Sequence, residues 1–274
     1  MSTRALVGML CGAAIALTGC GAKEAAVVKG AFEKDIKSAN VDLSIGIKSQ
    51  QEAVNITVTG PYQSNGEGKL PSADLAVKVD AGTQNFEGRL ISTGKNAFVV
   101  YQGETYEVGE QTIAQLEKQG QSQQFSTADL SKLMGTMSDW FPESKAQDAE
   151  LGGEPVDRVT GKLDVSRALK DIDALAKKSG VQGYKGLSTS DINQIDDEVS
   201  DPNFTIDVAK SDGKLRRIEA SMSVKDASDS GTIDFALMLT DVDKPVQIDA
   251  PSSGKPIGEL MQKLFGANDD TQVN

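Results

Sequence analysis

The sequence predicts an α+β protein built on one long, curved antiparallel β-sheet, a half-barrel with α-helices packed on one face. Three observations carry this. Apolar residues alternate with polar ones at period two in two separate stretches, Val41 to Val108 and Phe204 to Leu239. Between them lie segments with helical apolar spacing and capping residues. The alternating runs are separated by turn chemistry at Asn65-Gly66, Ala81-Gly82, Gly94-Lys95, Gln102-Gly103 and Asp212-Gly213. Strands, then helices, then strands again imply one sheet whose halves meet. Twisted open sheets rarely exceed about 10 strands without curling or splitting. A sheet of this length therefore curves, and its concave side has room for a hydrophobic cavity.

Each element follows from its pattern. Ala25 to Ala39 places Val28, Phe32 and Ile36 at successive i, i+4 positions among Lys29, Glu33, Lys34 and Lys37, which predicts an amphipathic helix. The first strands are marked by Val41, Leu43, Ile45 and Ile47, by Val54, Ile56 and Val58, by Leu75, Val77 and Val79, and by Phe86, Gly88 and Leu90. An apolar run from Ala97 to Tyr101 and a short strand from Thr105 to Val108 complete this half, with one face buried. Ile113 and Leu116 define a short helix after Gly109. Ser126-Thr127-Ala128-Asp129 opens another, with Leu130, Leu133, Met134 and Met137 on one face, and Trp140-Phe141-Pro142 stops it. Trp140 and Phe141 are expected in a buried cluster below that helix end.

A strand from Ala146 to Leu151 turns at Gly152-Gly153 into Pro155 to Leu163. Asp164 or Ser166 caps a helix striped by Leu169, Ile172 and Leu175, and Ser188 to Val199 forms a shorter helix with Ile192 and Ile195 inward. The closing strands carry Phe204, Ile206 and Val208, then Leu215, Ile218, Ala220, Met222 and Val224, then Ile233, Phe235, Leu237 and Leu239. Pro245 and Pro251 end the sheet, and a last helix holds Ile257, Leu260, Met261 and Leu264.

The N-terminal stretch bears on where the chain works. Arg4 supplies a positive start, Ala5 to Leu17 is uncharged and apolar, and Leu17-Thr18-Gly19-Cys20 ends it with small residues before a cysteine. This is the pattern of a lipoprotein signal: a thiol is presented at the membrane surface with small neighbours that leave the backbone open to processing. The expectation is a signal peptide over 1–19, lipidation at Cys20 with palmitate-type acyl chains, a short tether over 20–24, one domain over 25–266 and a flexible tail over 267–274. Two or more acyl chains give stable anchoring, so the expected location is the extracytoplasmic face of the cell membrane.

Composition excludes several functions. Two cysteines occur in the 274 residues, and Cys11 lies in the segment expected to be removed, so no intramolecular disulfide supports the domain. The formal net charge of −12 opposes phosphate contacts, which argues against nucleic acid. It opposes anionic headgroups too, leaving the acyl anchor to hold the membrane. Histidine is absent, which excludes Ser-His-Asp and Cys-His catalysis, histidine-ligated zinc and imidazole pH switching.

Individual motifs point to structure. Ser92-Thr93-Gly94-Lys95 matches S-x-x-K but sits at a hairpin turn without the S-D-N and K-T-G partners of penicillin-binding proteins. The acidic run Asp191, Asn193, Asp196, Asp197, Glu198 and Asp201 lacks the loop glycine and final glutamate of a calcium hand, so a solvated helix face is expected. Asp241 and Asp243 at a strand end are discounted likewise. A carboxylate-dependent hydrolase would need two carboxyls facing each other across a cleft, and nothing in the spacing supplies them. No enzyme, cofactor or metal is expected.

The order of lipobox and short helix, then Ala39-Asn40-Val41-Asp42-Leu43-Ser44, and above all Gly153-Glu154-Pro155-Val156-Asp157-Arg158-Val159-Thr160-Gly161-Lys162-Leu163-Asp164, resembles the LppX/LprG-type actinobacterial lipoproteins. The resemblance implies a LolA/LolB-like curved sheet, a hydrophobic cavity for acyl chains of a lipid or glycolipid, and no catalytic residue. An envelope transporter is an implied partner. Candidate residues lining the cavity, or filling a solid core in its place, are Val54, Ile56, Val58, Leu75, Val77, Phe86, Leu90, Phe204, Ile206, Ile233, Phe235 and Leu237. With a solid core the chain would be a structural or adaptor lipoprotein of the envelope. Alternation alone does not separate full from hollow.

Overall fold

The computed structural model describes residues 22–50, 52–66, 69–82, 84–122, 137–141, 143–178, 185–225 and 230–265. The first half comprises α1 (Ala22–Glu33), β1 (Ser38–Lys48), β2 (Ala53–Gln63), β3 (Ser72–Ala81), β4 (Gln84–Thr93), β5 (Ala97–Tyr101), β6 (Glu104–Glu107) and α2 (Glu110–Ser122). A 3₁₀ turn (Met137–Trp140) leads into β7 (Glu143–Leu151), β8 (Glu154–Lys162), α3 (Val165–Lys178) and α4 (Thr189–Glu198). β9 (Val199–Ala209), β10 (Leu215–Lys225), β11 (Ser230–Thr240), β12 (Lys255–Pro256) and α5 (Ile257–Phe265) close the chain.

The strands make one open, curved sheet in the order β12-β6-β5-β4-β3-β2-β1-β11-β10-β9-β8-β7. Every pairing is antiparallel except that of β12 with β6. The two halves meet where β1 pairs with β11, Leu43 opposite Leu237 and Ile45 opposite Phe235. The expected sheet is thus the one observed.

Register aligns the alternating residues into rows. Phe86, Val79, Ile56, Ile45, Phe235, Ala220 and Phe204 lie opposite one another from β4 to β9. A slip of one residue would send the whole set to the other face, so the apolar pattern itself holds the pairing. Where β2 and β3 come closest, Gly60 is required: its φ is +140° and a Cβ there would lie 2.0 Å from the Asp74 carbonyl oxygen.

The main core is centred on the β8–β10 side of the sheet and reaches Ala39 of β1 and Leu239 of β11. Val28, Ala31 and Phe32 of α1 are buried with Trp140, Phe141, Val159, Ala168, Phe204, Ile206, Val208 and Leu215. The Phe141 and Phe204 ring centroids are 4.1 Å apart, and the Trp140 indole N–H donates to Asp171 Oδ2 at 2.8 Å, tying the turn to α3. The expected aromatic cluster is therefore present.

Several elements differ from expectation. α1 ends at Glu33 instead of reaching Ala39, because the following backbone is claimed by the 241–244 turn. Lys37 N–H donates to Asp243 Oδ1 at 2.8 Å and Ser38 Oγ to the Lys244 carbonyl at 2.6 Å. In α3, Val165 and Ala168 are buried while Ile172 of the expected stripe is 46% exposed. Asp173 takes an inward position instead, accepting from Leu187 N–H at 2.7 Å and Lys177 Nζ at 2.5 Å. The helix expected from Ser126 lies outside the described residues apart from Met137–Trp140, which form the 3₁₀ turn. β12 has no alternating signature and was not expected.

Candidate functional site

The twelve candidate residues separate into two groups. Phe204 and Ile206 are 4% and 0% exposed within the core beneath α1. The other ten, Val54, Ile56, Val58, Leu75, Val77, Phe86, Leu90, Ile233, Phe235 and Leu237, are half-buried or exposed on the same inner face. Leu43, Ile45, Ile218, Ala220 and Met222, all half-buried, lie opposite them and extend the patch across β1 and β10. The result is a broad apolar strip over β4, β3, β2, β1, β11 and β10 that is partly open to solvent among the described residues. Strand alternation puts its members on the face where α1, the 3₁₀ turn and α3 build the core over β7–β9, and Val41, Ile218, Ala220 and Leu237 pack against the margin of that core.

The outer face is polar. Asp207, 0% exposed, accepts from Arg158 Nε at 2.7 Å and from Arg217 Nε at 2.8 Å, and the hydrogen bond to Asp207 raises the Arg158 pKa above its ordinary value. A depression of about 330 Å³, lined by Ser44, Asn203, Thr205, Glu219, Ser221 and Asp234 among others, opens on this side. Phe204 and Phe235 are the candidate residues that border it. One apolar patch also occurs where alternation places it outward: Ile91 and Phe98 face each other across β4 and β5 and are buried.

The other motifs have structural work. Glu154 of the Gly-Glu-Pro-Val-Asp-Arg hairpin accepts from Arg216 Nε at 2.8 Å and Nη2 at 3.0 Å. Its pKa is lowered, first by that bond and against its partial desolvation. With Arg158 on Asp207, the hairpin is locked to β9 and β10 by two ion-paired forks. Ser92 Oγ donates to the Pro71 carbonyl at 2.5 Å and Lys95 is exposed, which is turn chemistry. Asp191 closes a capping box with Ser188, whose hydrogen bonds lower the Asp191 pKa. Asp241 accepts from Lys244 and Asn40, and Asp243 from Lys214 and Lys37. No group of three or more His, Cys, Asp or Glu side chains is placed to hold a metal among the described residues.

A carboxylate cluster fastens the chain's last helix. Glu104 accepts from Lys255 Nζ at 2.5 Å, the Tyr106 hydroxyl at 2.6 Å and Lys263 Nζ at 3.4 Å. These bonds, Lys255 foremost, hold its pKa down at about 2. No alternation or motif signals such a clamp; it arises only when β12 and α5 dock on β6. Cys20 lies outside the described residues.

The fold and its inner face define a class: an open antiparallel half-barrel with a helix-covered edge and an apolar strip. No family model matches the sequence, and no curated protein matches it. Among solved structures the chain is similar to LprF from Mycobacterium bovis, at 15% identity over 84% of this chain and 98% of that one, with a TM-score of 0.45. A chain of the MucA/MucB complex of Pseudomonas aeruginosa matches at 8% identity and a TM-score of 0.32 over 84% of this chain, which spans 62% of that chain's length. A LolA superfamily protein from Nitrosomonas europaea matches at 9% identity and a TM-score of 0.21, covering 79% of this chain and 93% of that one. These are likenesses of fold.

Proposed function

We propose that the chain is a membrane-anchored extracytoplasmic lipoprotein that binds the acyl chains of a lipid or glycolipid on its inner face. In this reading residues 1–19 are a removed signal, Cys20 carries the anchor and 25–266 form the binding domain. The observation that carries it is the strip of part-exposed Val, Ile, Leu and Phe over six adjacent strands. Contiguous exposed apolar surface of this kind marks an interaction site. Each acyl methylene it covers contributes about 0.8 kcal/mol, and the strip has neither the charge nor the convergent polar groups that another ligand class would need. The polar headgroup would stay at the rim.

The test is native mass spectrometry of the Cys20→Ser protein purified from a bacterial host. Adducts of lipid mass are expected, removable by organic extraction, and absent from an Ile56→Glu, Leu237→Glu double variant. Repeated absence of any adduct from the parent protein would sink the lipid reading and favour an adaptor lipoprotein.

A further inference from the structure

The two edges of the sheet are finished differently. At one, β12 pairs with β6 in parallel, Lys255 opposite Tyr106, and α5 follows directly, its Lys263 Nζ donating to Glu104 at 3.4 Å. At the other, β7 is the last strand among the described residues. It runs for 9 residues, Glu143–Leu151, in unbroken antiparallel register with β8. It contains no proline, and Lys145 to Asp148 are exposed. An edge of that length is a template for a further strand unless charge, proline or a bulge blunts it.

The ladder fixes which backbone groups lie on the outer side of this edge. Lys210 N–H donates to the Pro155 carbonyl at 3.0 Å and Leu163 N–H to the Pro202 carbonyl at 2.7 Å, so the odd-numbered residues of β8 bond to β9. The even-numbered ones then bond to β7, where Arg158 stands opposite Gln147 and Thr160 opposite Lys145. It follows that Lys145, Gln147 and Ala149 serve the ladder, while Ala146, Asp148 and Glu150 aim their N–H and C=O away from the sheet. The stretch is bounded at both ends. Ser144, before it, is 6% exposed, and the Glu150 carbonyl, at its far end, accepts from Arg158 Nη2 at 3.5 Å.

Charge selects the occupant. The side chains of Ala146, Asp148 and Glu150 share one face of β7. Lys210 serves both Asp148 and Asp157, the latter at 3.4 Å, and Glu150 adds a third carboxylate. A second copy paired antiparallel about the middle of the stretch would set Asp148 against Asp148, like charges directly opposite. Shifting the register brings Asp148 onto Glu150, or runs one strand into buried Ser144. We propose that the β7 edge adds an extended segment of a partner polypeptide, paired along residues 146–150, with lysine or arginine side chains on the face shared with Asp148 and Glu150. The partner's backbone supplies the ladder, and its cations meet the carboxylates that repel a second copy.

The experiment uses the full-length protein in detergent micelles and two fluorescently labelled peptides of equal length, one alternating valine with lysine, the other valine with glutamate. Fluorescence anisotropy should show the lysine peptide binding and the glutamate peptide failing to bind. Hydrogen exchange at Ala146 and Glu150 should slow on binding, while Gln147, already in the ladder, is unchanged. Ala146→Pro removes an outward N–H and no β7–β8 bond, so it should keep the melting temperature and weaken binding by at least about tenfold. Glu150→Lys alters no backbone group; it should weaken the lysine peptide and admit the glutamate one, and it carries the test should Ala146→Pro fail to fold. No binding, equal binding of the two peptides, or binding that Glu150→Lys leaves unchanged overturns the proposal. Slow exchange at Ala146 without peptide, growing with protein concentration alongside a dimer in sedimentation, overturns it in favour of a second copy.

Discussion

Phe204 and Phe235 occupy the same cross-strand row, with Ala220 between them. Both were written into the chain by the same alternation, yet Phe204 is fully buried against Phe141 and Phe235 is only half-buried. The difference is cover: α1 and the 3₁₀ turn settle over β7–β9, whereas β1 and β11 give that core Ala39 and Leu239 at one end and Phe235 lies outside it. The same code therefore yields a core at one place and an exposed strip at another. What separates structure from a candidate site is the position of a helix, not the chemistry of the strand.

The sharpest way to break this comparison is to truncate the two rings. Phe204→Ala should cost about 3–5 kcal/mol, the range for a buried phenylalanine that leaves a cavity. Phe235→Ala should cost about 1–2 kcal/mol, since less of it leaves water on folding. Urea denaturation of both variants measures the difference, and equal losses would mean that β11 is as well covered as β9.

The outer face offers a parallel contrast. Asp207→Ala strands the Arg158 head and leaves Arg217 with Glu219 alone, and should destabilise by about 3 kcal/mol, as for a buried ion pair losing one partner. Asp234, exposed on the outer face of β11, should change stability by less than about 0.5 kcal/mol when replaced by alanine. Thermal unfolding of the two single variants tests this. A large effect at Asp234 would show that the middle of the sheet carries a polar network of its own.

A smaller and local effect is expected at Glu104. Its carboxyl has a folded pKa of about 2 against an ordinary 4.5, so the folded state favours the charged form. The stabilising contribution is fully present above pH 4.5 and is lost as pH falls toward about 2. Hydrogen exchange of residues 255–265 should accelerate over that window while the β1–β11 amides hold longer. Glu104→Gln should abolish the pH step.

Much of the fold was legible because strand alternation and turn chemistry are local signals. β1 to β11, the short helix after Ser188 and the Trp140–Phe141 cluster follow from residues adjacent in the chain or one turn apart. The failures share a cause. The end of α1 was set by a turn some two hundred residues away, and α3 was rotated by the demand of Asp173 for partners on the 185–188 segment. β12 exists only because β6 offers it an edge. Of the candidate residues, sequence supplied the face they share but not which of them lie uncovered.

Sequence by itself determined the alternating strands, their register and the sidedness of the sheet, because side chains on a strand point to opposite faces at a period of two and a one-residue slip would reverse them all. Sequence alone also brought to notice the cysteine at which anchoring is expected. Only the tertiary structure decided where the helices come to rest, and hence that Phe204 and Ile206 are core while Ile56 and Phe235 stay half-buried. Burial depends on which distant segments pack overhead, a property of the folded chain that no local spacing encodes.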